Sequence, residues 1–373
     1  MRGIRVVYRP QEPIFWLFAV LTLIGVVRMS TVIAQGVDRY PTGTWLAMVV
    51  FAVYTVPFAR FINRRDLFAP EPPALLVIAF VWGAAVATTG ALAGNMAIFS
   101  LNSKLGGLEF AANWNAAIAG PTTEELLKTA GIVAIVLLAR GAVGSTLDGM
   151  VYGAMIGLGF QVVENVIYCI NAIELNRGES EVIPVVQMLI MRGFVSGLWS
   201  HATYSAIIGA GVGFAVSSRQ RSRSVRISFA VVAFVLGWGI HFLWNSPLLT
   251  TAFGDGAGIL LAILVKGLLG LSILIVLYRL ARGADRRWFV SVLQPEVDRG
   301  VMLAEELQMM LSNKERKRAR KASIGAKSKA TGELQRALID VAAALGDGDA
   351  ARADAARQRA HAARLVLSDA PHA

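Results

Sequence analysis

Residues 14–34 read IFWLFAVLTLIGVVRMSTVIA, twenty-one positions with one charged side chain, Arg28. A helix rises about 1.5 Å per residue and needs roughly 20 mostly apolar residues to cross a bilayer. Inside lipid each backbone N–H and C=O must find a partner within its own segment, so such a run is a helix. This one is too long for the apolar centre of a signal peptide and carries no clear cleavage motif. Working outward on the same criterion, further spans fall at 44–62, 74–98, 112–139, 148–172, 186–216, 227–246 and 259–280. The expected fold is an all-α polytopic transmembrane helix bundle of about eight spans.

Composition agrees with that class. Of 373 residues, 55% are hydrophobic and 16% charged, where a soluble domain carries about 25% charged residues. Mean hydropathy is +0.56. The net charge of +11 therefore calls for loop bookkeeping before nucleic acid, which is not an expected partner. Alternate loops hold Arg2, Arg5 and Arg9; Arg60, Arg64 and Arg65; Arg140; Arg219, Arg221, Arg223 and Arg226; and Arg282, Arg286 and Arg287. The opposite loops hold only Arg39, Lys104 and Arg177. Excess Lys and Arg mark the cytoplasmic side, so both termini are expected in the cytoplasm, with the protein multi-pass in the cell membrane. Cys169 is the only cysteine, which excludes an intramolecular disulfide and any zinc site that needs two thiolates.

The expected organisation is a cytoplasmic N-terminus at 1–13, the bundle at 14–280 and a cytoplasmic tail at 281–373. In the tail, 314–329 holds eight Lys or Arg against one Glu, a solvated or membrane-surface stretch. Leu334, Leu338, Val341 and Leu345 follow a helical period, and Gly346-Asp347-Gly348-Asp349 reads as a turn before a second helix at 350–367. Either a helical hairpin or a partly disordered tail fits. In the bundle, Gly149, Gly153 and Gly157 repeat every four residues, as do Gly193 with Gly197 and Gly209 with Gly213. Such spacing lets helices approach closely in lipid.

Ionisable groups inside a bilayer are costly, so each is a functional candidate. Arg28, Arg192 and Lys266 are long side chains within reach of an interface, and snorkelling accounts for them. Spans 4 to 7 differ. Span 4 holds Gly120-Pro121-Thr122-Thr123-Glu124-Glu125-Leu126-Leu127-Lys128. Gly120-Pro121 should break or start a helix, Thr122 with Glu125 fits a capping box, and Glu124 with Lys128 fits an i,i+4 pair. Two adjacent carboxylates at this depth exceed what capping explains. Span 5 holds Phe160 and Glu164 on one face, with Asn165 beside them. Span 6 holds His201 with Tyr204 and Ser205 a turn away, and span 7 holds His241 and Asn245 at i,i+4.

Depth ties these groups together. Arg140 to Glu125 is 15 residues, Asp148 to Glu164 16, Arg219 to His201 18 and Arg226 to His241 15. At about 1.5 Å per residue, all four lie roughly 22–27 Å from the inner surface, in one layer. Glutamates and imidazoles without a usable Cys or Ser nucleophile suggest an activated water. A Glu can serve as general base, and His241 with Asn245 can stabilise an oxyanion. Alternatively Glu164, His201 and His241 could hold a divalent metal, zinc being the candidate. Both routes lead to hydrolysis, of a peptide bond in a membrane-embedded substrate.

These motifs, in this order over roughly 110–250, resemble the PrsW family of intramembrane proteases, related to the type II CAAX prenyl proteases and the bacteriocin-processing CPBP proteins. By that resemblance, Glu124 and Glu125 match the paired catalytic glutamates and Glu164 the acidic or His position of the second motif. His201 matches the histidine of the next span, and His241 with Asn245 the HxxxN element. The CAAX relatives have His where this chain has Glu164. The resemblance implies site-1 cleavage of a membrane-anchored anti-sigma factor at an extracytoplasmic position. Three rivals are an ion-coupled transporter, a catalytically silent scaffold and a membrane acyl- or prenyl-modifying enzyme. Transporters commonly repeat their broken helices in two halves, whereas spans 1–3 have no counterpart of the Glu-rich motif. No nucleotide or phosphate motif supports the modifying enzyme.

Overall fold

The computed structural model describes residues 8–64, 71–139 and 141–369. Arg2, Arg5, Arg65 and Arg140, used above for topology and depth, lie outside the described residues. The chain is all-α, without strands among the described residues. It divides into two compact units at Arg279/Leu280.

In the first unit α1 is Pro13–Arg39 and α2 is Pro41–Asn63, each opened by a proline, whose missing N–H costs nothing at a helix start. α3 is a helical run, Pro73–Leu138, in two arms. Its 66 residues would span about 100 Å if straight, so it must fold back in a bilayer. It does so at Gly107, with φ +86° and ψ 166°, a conformation open to glycine. The two arms are the expected spans 74–98 and 112–139. They are tied by Asn102 Nδ2 donating to Asn115 Oδ1 (3.0 Å) and Thr123 Oγ1 donating to Asn95 Oδ1 (2.6 Å). A break at Gly120-Pro121 does not occur: Pro121 sits inside the helix. Proline removes one helical bond, but Asn245 Nδ2 donates to Ala116 O nearby (2.9 Å), and packing on both sides holds the helix.

α4 (Thr146–Leu175) is central, opened by a capping box of Ser145 and Asp148. Then come α5 (Val182–Val195), α6 (His201–Ser217), α7 (Arg223–Asn245) and the short α8 (Leu248–Phe253). α9 (Ala257–Asp298) continues beyond the first unit. Among the described residues six helices are long and apolar enough to cross a membrane, against about eight expected spans. α3 accounts for two spans, its two arms joined at Gly107, and the expected span 186–216 is divided into α5 and α6 around Ser196–Ser200. Both serines line the cavity described below, and irregular backbone is tolerated at membrane depth where it lines a cavity. α1 and α2 present large apolar side chains outward, such as Leu23 and Val53. The protein is a multi-pass membrane protein.

Glycines set how closely α4 is approached. A Cβ on Gly149 would lie 2.2 Å from Gly209 O, on Gly153 2.1 Å from Ser205 O, and on Gly157 2.3 Å from His201 O, all on α6. On the other side Gly83 packs on Ile156, and Gly159 on Phe80. Gly153→Val is expected to force α4 and α6 apart, costing about 1–3 kcal/mol and lowering activity by moving Ser205 and His201. Gly239→Ala, where a Cβ meets nothing within 4 Å, should be neutral. Thermal unfolding of both variants in detergent checks this.

The second unit contains the rest of α9, α10 (Ala304–Met310), α11 (Asn313–Ala322), α12 (Ala326–Gly346) and α13 (Ala350–Asp369). Phe289, Leu293, Met310, Leu334, Leu338 and Val341 are in its core. Arg357 grips Glu296 and Arg364 grips Glu306, each through two hydrogen bonds of 2.7–2.8 Å.

Candidate active site

Four helices bring the motif residues to one place. Glu124, Glu125 and Lys128 share a face of α3, and all three are buried. Lys128 Nζ donates to Glu125 Oε1 (2.9 Å) and Glu124 Oε2 (3.2 Å), and lies 2.9 Å from His201 Nδ1. The ring of Phe160 lies beneath the ammonium, 3.9 Å from its centroid, a cation–π contact. A buried carboxylate pair is tolerable only with such compensation.

The two glutamates differ in partners. Glu125 is fully buried. Its Oε1 meets Lys128 and His241 Nδ1 (2.9 Å each), while its Oε2 accepts from Ser205 (3.2 Å). Glu124 lines a cavity of about 130 Å³ and Glu125 does not. No hydrogen bond is made to Glu124 Oε1 among the described residues, and this oxygen is 3.4 Å from the place a Cβ on Gly120 would occupy. Glycine at 120 keeps that side of the carboxylate open.

The histidine tautomers follow from their partners. A carboxylate only accepts, so His241 Nδ1 carries the proton toward Glu125, and Nε2 keeps a lone pair 4.0 Å from Glu124 Oε2. His201 Nε2 donates to Glu164 Oε2 (2.9 Å), leaving Nδ1 with a lone pair that accepts from Lys128, 3.4 Å from Glu124 Oε2. Each imidazole is thus oriented by a carboxylate on its other nitrogen, an arrangement that holds metal-binding histidines in place. His201 also begins α6, where the helix dipole favours the nearby anions.

Glu164 stands one step outward. Among the three residues expected to hold a metal, it backs His201 and binds Arg192. The side chains whose ligand atoms lie within 4.8 Å of one another are Glu124, Glu125, His201 and His241. Two imidazoles and two carboxylates fit a divalent ion such as zinc by kind and spacing. Lys128 Nζ holds Glu124 Oε2 and His201 Nδ1, so the ammonium and an ion compete for those atoms. Three carboxylates face two cationic side chains, which leaves the cluster one positive charge short of balance.

Asn245 reaches the cavity from α7, donating to Ala116 O. Three readings from sequence are corrected. Arg192 does not snorkel: it turns inward, with Nε donating to Asn165 Oδ1 (2.7 Å) and its guanidinium 3.8 Å over the Tyr168 ring. Lys266 is buried and donates to Ser246 O (2.7 Å) and Trp244 O (3.2 Å) at the end of α7. Glu125 is no helix cap. The signal that could have found Arg192 is charge: Glu164 needs a cation, and Arg192 is the only one within the neighbouring span. Gln161, Ser200 and Asn95 carried no signal of their own.

A family description of PrsW family intramembrane metalloprotease matches residues 71–278, a stretch that contains every residue of this cluster. No curated protein and no solved structure matches the chain. With more than half of its length matched, and with the paired glutamates, His201 and His241 in one buried cluster, the chain belongs to the PrsW family of intramembrane metalloproteases.

Proposed function

We propose that this protease cuts a membrane-anchored anti-sigma factor within or next to its apolar segment, with Glu124 as general base and a zinc ion held by Glu124, His201 and His241. The observation that carries the assignment is the asymmetry of the glutamate pair: Glu124 alone has a carboxylate oxygen open to the cavity. A divalent ion at these atoms lowers the pKa of water and polarises a carbonyl.

The side chains then divide the work. Glu124 takes a proton from the attacking water, whose oxygen bonds to the scissile carbonyl carbon as the C=O π pair moves onto oxygen. When the C–N bond breaks, the leaving nitrogen receives that proton from Glu124. Glu125 orients His241, and Glu164, balanced by Arg192, orients His201. The distribution of Arg over the loops supports both termini inside, which would open the cavity toward the extracytoplasmic half of the membrane and fit an anti-sigma factor cut from that side.

Elemental analysis of the detergent-purified protein tests the metal. About one equivalent of zinc is expected in wild type, lost in His241→Ala, with affinity weakened about 10–100-fold in Glu164→Gln. A metal-free wild type that still cuts a membrane peptide would remove zinc and leave Glu124 and the histidines as the hydrolytic centre.

A further inference from the structure

Four residues that line the cavity each carry an enclosed polar atom with no hydrogen-bond partner among the described residues: Gln161 Oε1, Asn165 Nδ2, Ser200 Oγ and the Tyr204 hydroxyl. All four residues are more than nine-tenths buried, from 0% exposed at Asn165 to 8% at Ser200. Buried polar atoms are nearly always paired, and an orphan destabilises the fold. The other buried tyrosines obey that rule. Tyr54 donates to Gly193 O (2.9 Å), and Tyr152 donates to Glu71. Tyr204 alone among them keeps an unused hydroxyl, and it does so beside the reacting groups. Its ring stacks on His241 at 4.8 Å and meets His201 edge-on at 6.0 Å.

The chemistry of the reaction calls for donors around the scissile carbonyl oxygen. Hydrolysis of a peptide builds negative charge on the carbonyl oxygen, and preorganised donors aimed at it supply a large part of the acceleration. With its Nδ1–H on Glu125, a neutral His241 presents the Nε2 lone pair, and it donates from Nε2 only as an imidazolium. Asn245 spends one of its two amide N–H donors on Ala116 O, which leaves the other and the Tyr204 hydroxyl as neutral donors. We propose that the Tyr204 hydroxyl donates to the scissile carbonyl oxygen, and that Ser200, Asn165 and Gln161 hold the adjoining peptide groups. The proposal rests on the hydrolytic reading of the cavity.

The bond from Tyr204 is a hydrogen bond that strengthens as the C=O π pair moves onto oxygen; the phenol keeps its proton throughout. Gln161 and Asn165 lie one turn apart on α4. Arg192 binds Asn165 Oδ1, which fixes that amide with its N–H₂ free to donate, while Gln161 Oε1 is free to accept. An acceptor and a donor side by side match the N–H and C=O of an extended peptide. A helical segment has both groups engaged internally and could satisfy neither. The substrate class is therefore a membrane-anchored protein whose chain is extended at the cut.

Tyr204→Phe removes one oxygen and nothing else. Wild type, Tyr204→Phe, Ser200→Ala and Glu124→Gln are reconstituted with a single-span anti-sigma factor, and kcat, KM and thermal unfolding are measured. For Tyr204→Phe, kcat should fall about 10²–10³-fold, with KM within about twofold and no loss of thermal stability, because the hydroxyl has no partner to lose. Ser200→Ala should change mainly KM. A Tyr204→Phe variant that keeps wild-type kcat, or that loses kcat and thermal stability together, overturns the proposal. Wild type that cuts no better than Glu124→Gln defeats the hydrolytic reading itself, and the proposal with it.

Discussion

Glu124→Gln is expected to lower kcat about 10³–10⁴-fold while leaving the protein as stable as wild type. The base is lost outright, and general acid–base catalysis is worth up to about 10⁴. The fold has little to lose. Glutamine keeps the volume, and Lys128 keeps Glu125 and His201 as partners. The substitution also leaves two carboxylates, Glu125 and Glu164, against two cations, Lys128 and Arg192, so the cluster becomes balanced. A second consequence follows: with the excess negative charge gone, affinity for a divalent ion should drop as well. Glu125→Gln is the informative contrast. That carboxylate serves Lys128, His241 and Ser205 together, so activity and thermal stability should fall jointly. Cleavage kinetics and thermal scans on the two variants separate the roles. Equal loss of stability in both would remove the distinction drawn between the glutamates.

Lys128→Met should produce the largest loss of stability among single changes in the bundle. Methionine fills similar space without the charge, so what is removed is the counter-ion of Glu124 and Glu125, which are 4% and 0% exposed. Breaking a buried ion pair from one side costs about 3–5 kcal/mol, because the remaining charge is left uncompensated. Arg192 cannot substitute, being committed to Glu164 and Asn165. Adding Glu125→Gln to Lys128→Met should restore part of the loss, a coupling that identifies the charge as the cause. Equilibrium unfolding in mixed micelles gives the three values. A Lys128→Met protein as stable as wild type would show that the ammonium does not neutralise the pair.

The helices were legible because lipid leaves the backbone one solution: a run like 14–34 must form a helix. The motif faces were legible for a related reason, since Glu124 with Lys128 and His241 with Asn245 are one turn apart whatever surrounds them. What the chain order does not carry is direction. Arg192 has a stem long enough to reach an interface or a buried partner, and only Glu164 on another helix decides between them. Adjacent Glu124 and Glu125 point about 100° apart on their helix, and only α6 and α7 determine which one meets the cavity. The division of span 186–216 was hidden because Ser196-Gly197-Leu198-Trp199-Ser200 is a short interruption that the long apolar stretches on either side outweigh. Pro121 misled for the opposite reason: its local rule is to break a helix, and the packing around Asn245 and Trp238 overrides that rule.

The central claim, that Glu124 and its histidines hydrolyse a peptide bond inside the membrane, is tested most directly by oxygen tracing. Wild type and Glu124→Gln are reconstituted with a single-span anti-sigma factor in ¹⁸O-labelled water, and the fragments are weighed by intact-mass spectrometry. The result expected is a pair of wild-type fragments meeting within or next to the apolar segment, with a single ¹⁸O on the new carboxyl end, and no fragments from Glu124→Gln. Fragments from Glu124→Gln at the wild-type rate, or an intact substrate with wild type, would contradict the account.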